Sequence, residues 1–176
     1  MKNRTNWYVI TGGPSTGKTT IVNLLDEKGY KTAIEHARHY IDTMSIGGKT
    51  VEEIRENKLE FQQGVLKMQI EQEASLDPKE MVFLDRAIPD ALAYYRFLGL
   101  EPDALINDAL NKVDYKKVFI LDRLPLIKDY ARTENDSEQR YIHSLIIEVY
   151  KSLSLPIVYV PVLPPEERVQ FILNNI

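Results

Sequence analysis

Five short apolar runs alternate along the chain with longer stretches whose apolar residues recur at helical spacing. The runs are Trp7–Thr11, Tyr30–Ile34, Met81–Leu84, Lys117–Leu121 and Pro156–Val160. All but Tyr30–Ile34, which carries Lys31 and Thr32, are nearly continuous in apolar character, as expected of strands covered on both faces. The helical stretches carry their own start and stop signals. Thr20–Leu25 follows the first run. Thr50-Val51-Glu52-Glu53 has the form of a capping box, and the stripe Ile54, Phe61, Val65, Met68 predicts one long helix ending before Asp77-Pro78. Ile88–Leu98 is stopped by Gly99, and Asp103–Leu110 follows. Asp136-Ser137-Glu138-Gln139 opens a capped helix running toward Ser154, and Pro164–Leu173 closes the pattern. Strands alternating with helices predict an α/β fold: a mainly parallel five-stranded sheet, right-handed crossovers and helices on both faces. Ligands on such sheets sit at the carboxyl ends of the strands.

The first strand ends in Gly12-Gly13-Pro14-Ser15-Thr16-Gly17-Lys18-Thr19, a full match to the P-loop pattern G-x-x-x-x-G-K-[ST], with Thr20 opening the helix behind it. Strand, loop and helix occur in the order that chemistry needs. Glycines let the backbone turn and aim N–H groups at phosphate oxygens, and the helix start adds positive potential there. Lys18 would reach the β- and γ-phosphates, and Thr19 would bind Mg²⁺.

The other strands also end on polar residues. The second ends at Glu35, followed by His36, Arg38 and His39; the third at Asp85-Arg86; the fourth at Asp122-Arg123. Four apolar residues followed by Asp is the Walker B pattern, in which the carboxylate holds Mg²⁺. Both Asp85 and Asp122 fit it; Asp85 is preferred, because strand three usually lies beside strand one in kinase-like P-loop folds. Glu35 is the candidate general base for an acceptor hydroxyl, or a substrate hydrogen-bonding group. Segment 122–136 is a polar connection carrying Arg123, Lys128 and Arg132, and reads as a lid whose arginines close over a transferring phosphoryl group. Arg86 is a candidate to orient Glu35 or touch substrate. Arg38 is read as a substrate contact or a surface ion pair, and His36 and His39 as a solvated helix face. Residues 36–80 are expected to form the acceptor side, where Tyr40, Phe61 and Tyr94 either stack on a flat ring or fill core.

Composition narrows the function class. The 176 residues are 44% hydrophobic and 27% charged, which fits a single globular domain. A net charge of −4 offers no basic footprint for nucleic acid. There is no Cys, hence no disulfide or thiolate metal site, a composition compatible with a cytoplasmic location. No window reaches membrane-span length, and nothing resembles a signal peptide. Two guanine-nucleotide motifs occur out of place. Asn111-Lys112-Val113-Asp114 matches N-K-x-D but enters the fourth strand rather than leaving one, and Asp26–Gly29 matches D-x-x-G at the end of the first helix.

Several blocks together carry a family resemblance: Thr11–Thr20, Glu35–Ile41, Phe83–Ala91, Asp129–Glu134 and Val160–Arg168. The chain resembles the AAA-28-type P-loop ATPase/kinase family, which includes the ribosylnicotinamide-kinase domain of a bifunctional regulator of NAD biosynthesis. The resemblance spans nearly the whole chain. It implies a fold like that of nucleoside and nucleotide kinases. It also implies an active cleft lined by Glu35, Asp85, Arg86 and Arg132, with residues 161–168, Arg168 among them, beside the adenine. At 176 residues the chain is not expected to carry the regulator's nucleotidyltransferase and DNA-reading domains, so nicotinamide riboside is one candidate acceptor among several. The expectation is an ATP- and Mg²⁺-dependent kinase of a small hydroxylated metabolite, with no nucleic-acid or membrane partner. The alternative is a nucleotide-binding switch or slow NTPase acting through a protein partner.

Overall fold

Five strands pair in parallel in the order β2-β3-β1-β4-β5. They are β1 (Trp7–Thr11), β2 (Lys31–Ala33), β3 (Val82–Asp85), β4 (Lys117–Leu121) and β5 (Ile157–Val160). The computed structural model describes residues 4–34, 36–124 and 136–176. Its helices are α1 (Lys18–Glu27), α2 (His36–Ile46), α3 (Val51–Glu56), α4 (Lys58–Ser75), α5 (Ile88–Phe97), α6 (Ala104–Leu110), α7 (Asp136–Ser152) and α8 (Pro165–Leu173).

The period of two along a strand divides the core into layers. From β1, Trp7 and Val9 join Leu66 of α4, Tyr95 of α5 and Ile146 of α7. Tyr8 and Ile10 point the other way, onto Ile21 and Leu25 of α1 and Val169 and Ile172 of α8. Both faces of the central strands are therefore buried, which is why their sequences read as unbroken apolar runs. Phe83 and Phe119 are fully buried beside Tyr8, which stacks on Phe83 with ring centroids 5.3 Å apart. Truncating either Phe to Ala would cost about 3–5 kcal/mol.

One predicted helix is two. The capping box at Thr50 forms, with the Thr50 hydroxyl accepting the Glu53 N–H at 3.1 Å, but it opens only α3. The chain leaves helical geometry at Asn57, whose side chain accepts the Glu60 N–H and starts α4 afresh. A short carboxamide competing for backbone donors favours such a break over helix interior. The apolar stripe survives the break, because Ile54 and Phe61 meet Ile41 of α2 in a separate small cluster. Among the described residues, no helix is long and apolar enough to cross a membrane.

Candidate active site

β1 runs into the loop at the carboxyl edge of the sheet. Gly17 precedes α1 in the left-handed region, with φ +87°, a conformation costly for any residue with a Cβ. α1 has no acidic residue in its first turn and no side-chain cap, so its N-terminal amides and dipole remain available to an anion. Lys18 is fully buried, and its ammonium donates to the Gly13 carbonyl at 2.9 Å and to the Thr16 hydroxyl at 3.3 Å. Thr19 and Thr20 occupy the first turn of α1 and are exposed.

Beneath the loop lies Arg168 of α8, 2% exposed. Its guanidinium donates to the carbonyls of Thr16 (2.5 Å), Asp122 (2.8 Å) and Pro161 (2.9 Å). One cation thus ties the loop to the ends of β4 and β5. It lies within the block expected near the adenine, with hydrogen bonds to backbone carbonyls on three segments.

Asp85 and Asp122 are no longer equivalent. Asp85 is 3% exposed and shares a cleft of about 220 Å³ with Thr19, Asn23, Arg38 and Asp42. Asp122 is exposed. Arg86, immediately after Asp85, has φ +66°, unusual for a residue with a Cβ, and its N–H donates to the Ile10 carbonyl at 3.0 Å. Its guanidinium lies 5.1 Å from the Tyr94 ring centroid and 3.5 Å from Asp90. Arg123 forms a 2.6 Å ion pair with Asp136 at the start of α7. Glu35, Lys128 and Arg132 lie outside the described residues, as does most of the expected lid.

A second, larger cavity of about 410 Å³ opens beside the loop, with Pro14 on its wall. α4 contributes Lys58, Phe61, Gln62, Val65, Leu66 and Gln69, and α5 contributes Ala91, Tyr94 and Phe97. Arg38 borders both cavities. Of the three aromatic residues singled out from sequence, Phe61 and Tyr94 line the larger cavity. Tyr40 instead packs edge-on against Phe61, with centroids 5.5 Å apart.

Under that cavity runs a buried polar network. Asp90 accepts from the Thr11 hydroxyl, the Tyr150 hydroxyl and the Ala87 N–H. Glu73 accepts from Tyr115 Oη at 2.9 Å, Gln69 Nε2 at 2.8 Å and the Ile88 N–H at 3.4 Å. Burial pushes the Glu73 carboxyl up to about 7, with nearby Asp90 adding to the rise and the hydrogen bonds opposing it. The network fixes the start of α5 relative to β1, α4 and α7.

The out-of-place nucleotide motifs stay out of place. Asp114 pairs with Arg4 and its carbonyl accepts the Thr5 N–H at the edge where β4 begins, opposite the loop. Asp26–Gly29 closes α1 through a Gly29 N–H to the Asp26 carbonyl.

The family described as AAA domain (AAA_28) matches residues 7–168. The chain belongs to that family. No curated protein sequence matches it. Among solved structures, the AAA_28 chain superposes on deoxyadenosine kinase from M. mycoides with TM-score 0.69 and 14% identity, covering 96% of this chain and 97% of that one. It superposes on NadR protein in complex with NR with TM-score 0.72 and 17% identity, covering 97% of this chain and 49% of NadR. Thymidylate kinase from Ehrlichia chaffeensis gives TM-score 0.66 and 15% identity, with 98% of each chain covered. The AAA_28 chain therefore has the P-loop NTPase fold in the form seen in these nucleoside and nucleotide kinases.

Several site residues carry no motif. His143, Glu73, Tyr150 and Gln62 lie on helices outside every motif, and Asp90 falls within the Phe83–Ala91 block with no role assigned to it from sequence. His143 stands one residue after buried Ile142 on the inner side of α7.

Proposed function

We propose that the chain is a small-molecule kinase that moves the γ-phosphoryl group of ATP to a small hydroxylated acceptor, a nucleoside or nucleotide. The supporting observation is the adjacency of two cavities at one loop. Thr19 borders the cleft with Asp85, Pro14 borders the larger cavity, and Arg38 borders both. A phosphate cradle alone would serve any nucleotide-binding protein. A second enclosed space beside it gives an acceptor a place to sit.

In this reading the loop amides and Lys18 hold the phosphates. Thr19 and Asp85 supply two hard oxygen donors for Mg²⁺. Mg²⁺ held by few protein oxygens would keep waters and take its other oxygens from phosphate. Bound there, Mg²⁺ would offset charge on the phosphates. The acceptor oxygen attacks the γ-phosphorus as the bond to the β–γ bridging oxygen breaks and ADP leaves. The hydroxyl proton passes to Glu35, and Arg123 and Arg132 close over the transferring group. Arg86, anchored by Asp90 and Tyr94, faces the acceptor.

The test is ADP release with Mg²⁺ and ATP against nucleosides, nucleoside monophosphates and nicotinamide riboside, with Lys18→Ala as control. Acceptor-dependent turnover absent from the control is expected, with Glu35→Gln losing more than about tenfold in turnover while still binding ATP. Tight nucleotide binding with slow release, indifferent to every acceptor and to Glu35→Gln, would overturn the kinase reading in favour of a switch.

A further inference from the structure

The ends of β1 and β3 leave the sheet side by side. Ile10 pairs with Asp85 in the parallel register, so Thr11 and Arg86 are the next positions along the two chains. From there they part: β1 enters the phosphate loop, and β3 turns through Arg86 and Ala87 into α5. One carboxylate reaches both. Asp90, in the first turn of α5, is 4% exposed. Its Oδ1 accepts the Thr11 hydroxyl and lies 3.5 Å from Arg86 Nη1. Its Oδ2 accepts the Ala87 N–H at 3.1 Å and the Tyr150 hydroxyl. One oxygen is enough to satisfy the Ala87 N–H at the start of the helix. The other is held out of water against β1, where a polar group is costly unless it is used. Arg86 itself has φ +66°, a state that a residue with a Cβ keeps only where its surroundings hold it. The Arg86 N–H on the Ile10 carbonyl grips that turn from one side, and Asp90 grips it from the other.

We propose that Asp90 is a positioning residue for phosphoryl transfer: by holding Thr11 on one side and the Arg86–Ala87 turn on the other, it sets the Arg86 guanidinium at a fixed distance from the phosphate loop. This rests on the kinase reading above and adds the residue that aligns its two halves. Arg86 and Asp90 both border the larger cavity, but both oxygens of Asp90 are engaged by protein donors, so it acts through Arg86 rather than on a substrate. The 3.5 Å approach to the guanidinium is long for a hydrogen bond. It acts as a buried charge pair, while the contacts to Thr11 and Ala87 fix its direction. In this arrangement the two binding events do not need Asp90. The loop amides and Lys18 hold the phosphates, and the cavity walls hold the acceptor. Transfer does need it, because a misplacement of about 1 Å between reacting groups costs about a hundredfold in rate.

The test is ADP release from ATP and Mg²⁺ with the acceptor that the panel above identifies, in steady state and in single turnover so that slow variants stay readable. Equilibrium ATP binding is measured beside it. Asp90→Asn keeps the side-chain volume and turns one oxygen into an amide that must face a donor. It is expected to lower kcat about tenfold or more while KM for ATP and for the acceptor stays within about threefold. Thr11→Val suits a strand and cuts only the tie to β1; it should lower kcat by about threefold or more with ATP affinity unchanged. A double-mutant cycle separates positioning from general support of the fold. In an Arg86→Met background either substitution should cost less than about twofold in rate, because its route to the acceptor is gone. Equal losses in the two backgrounds overturn the proposal. So does a KM that rises as far as kcat falls, or a wild-type kcat in either single variant. If Asp90→Asn does not fold, Thr11→Val and its cycle decide by the same ratios. Wild type without acceptor-dependent turnover overturns the kinase reading and this role together, whereas turnover with the wrong ratios overturns this role alone.

Discussion

His143 Nδ1 on α7 accepts the backbone N–H of Gly13 at 2.9 Å. A histidine outside every recognised motif thus holds the first turn of the phosphate loop. It can do so only as a neutral imidazole, with the proton on Nε2. Its surroundings enforce that state. Burial, then Lys18, then Arg123 lower its pKa, and Asp122 opposes them weakly. The contact is close enough that a Cβ on Gly13 would stand 2.8 Å from His143 Cβ.

The first prediction follows from that protonation state. A histidine whose pKa is lowered in the folded protein contributes stability above its unfolded value near 6.5, and loses it as pH falls toward the folded value. Nucleotide binding should weaken on acidification below that point, by about fivefold, as the Gly13 acceptor is lost. His143→Asn, which keeps an acceptor and cannot titrate, should flatten the decline. Fluorescence titration with an ATP analogue between pH 5 and 8 measures it. An Asn variant with an unchanged pH profile would place the titration elsewhere.

The buried Glu73 carboxyl has the opposite sign. Its folded pKa of about 7 lies above the ordinary 4.5, so the native state binds more protons between those values. Stability from this group is full below 4.5 and falls as pH rises through 7. Glu73→Gln should remove the fall and be more stable than wild type at pH 8, by about 1–3 kcal/mol. Urea midpoints at pH 5 and pH 8 for both proteins supply the comparison. A variant no more stable than wild type at pH 8 would mean that the hydrogen bonds from Tyr115, Gln69 and Ile88 outweigh burial.

Arg168 holds three carbonyls from three segments. Arg168→Met should cost about 2–4 kcal/mol, since the carbonyls are left without their charged donor. Arg168→Lys should rescue little, because an ammonium cannot reproduce the planar fork. Thermal denaturation should show losses of about 5–15 °C in both variants. An Arg168→Lys protein of wild-type melting temperature with weakened ATP binding would instead assign the side chain to the nucleotide.

The two Leu-Asp-Arg segments separate by burial and neighbours. Asp85 shares a cleft with Thr19, whereas Asp122 is exposed. Asp85→Asn should raise the Mg²⁺ concentration for half-maximal turnover by about tenfold or more, and Asp122→Asn should leave it within about twofold. Mg²⁺ titrations of ADP release decide between them. The reverse pattern would assign the proposed Mg²⁺ site to the end of β4.

Much of the architecture was legible from local pattern alone. Runs such as Val82–Leu84 and Val118–Leu121 declare strands buried on both faces, and the alternation with helices implies a parallel sheet with its site at the carboxyl edge. The loop from Gly12 to Thr19 is contiguous, so its chemistry is written in consecutive letters. The break at Asn57 was less legible, because the apolar stripe continues across it and periodicity does not see the lost backbone bonds. What tertiary structure alone decided are the pairings between distant residues. Nothing local links Gly13 to His143, Thr16 to Arg168, or Glu73 to Tyr115; those partners meet only because the sheet order and the helices packed on it bring their segments together. The same holds for burial. Asp85 and Asp122 stand in equivalent sequence contexts, and Gln62 and Gln69 lie two turns apart on one helix. Only packing determines which carboxylate is enclosed and which carboxamide donates to Glu73. Local spacing sets which groups the chain carries and on which face, while desolvation and hydrogen bonding, which depend on every neighbouring element, set what each group can do.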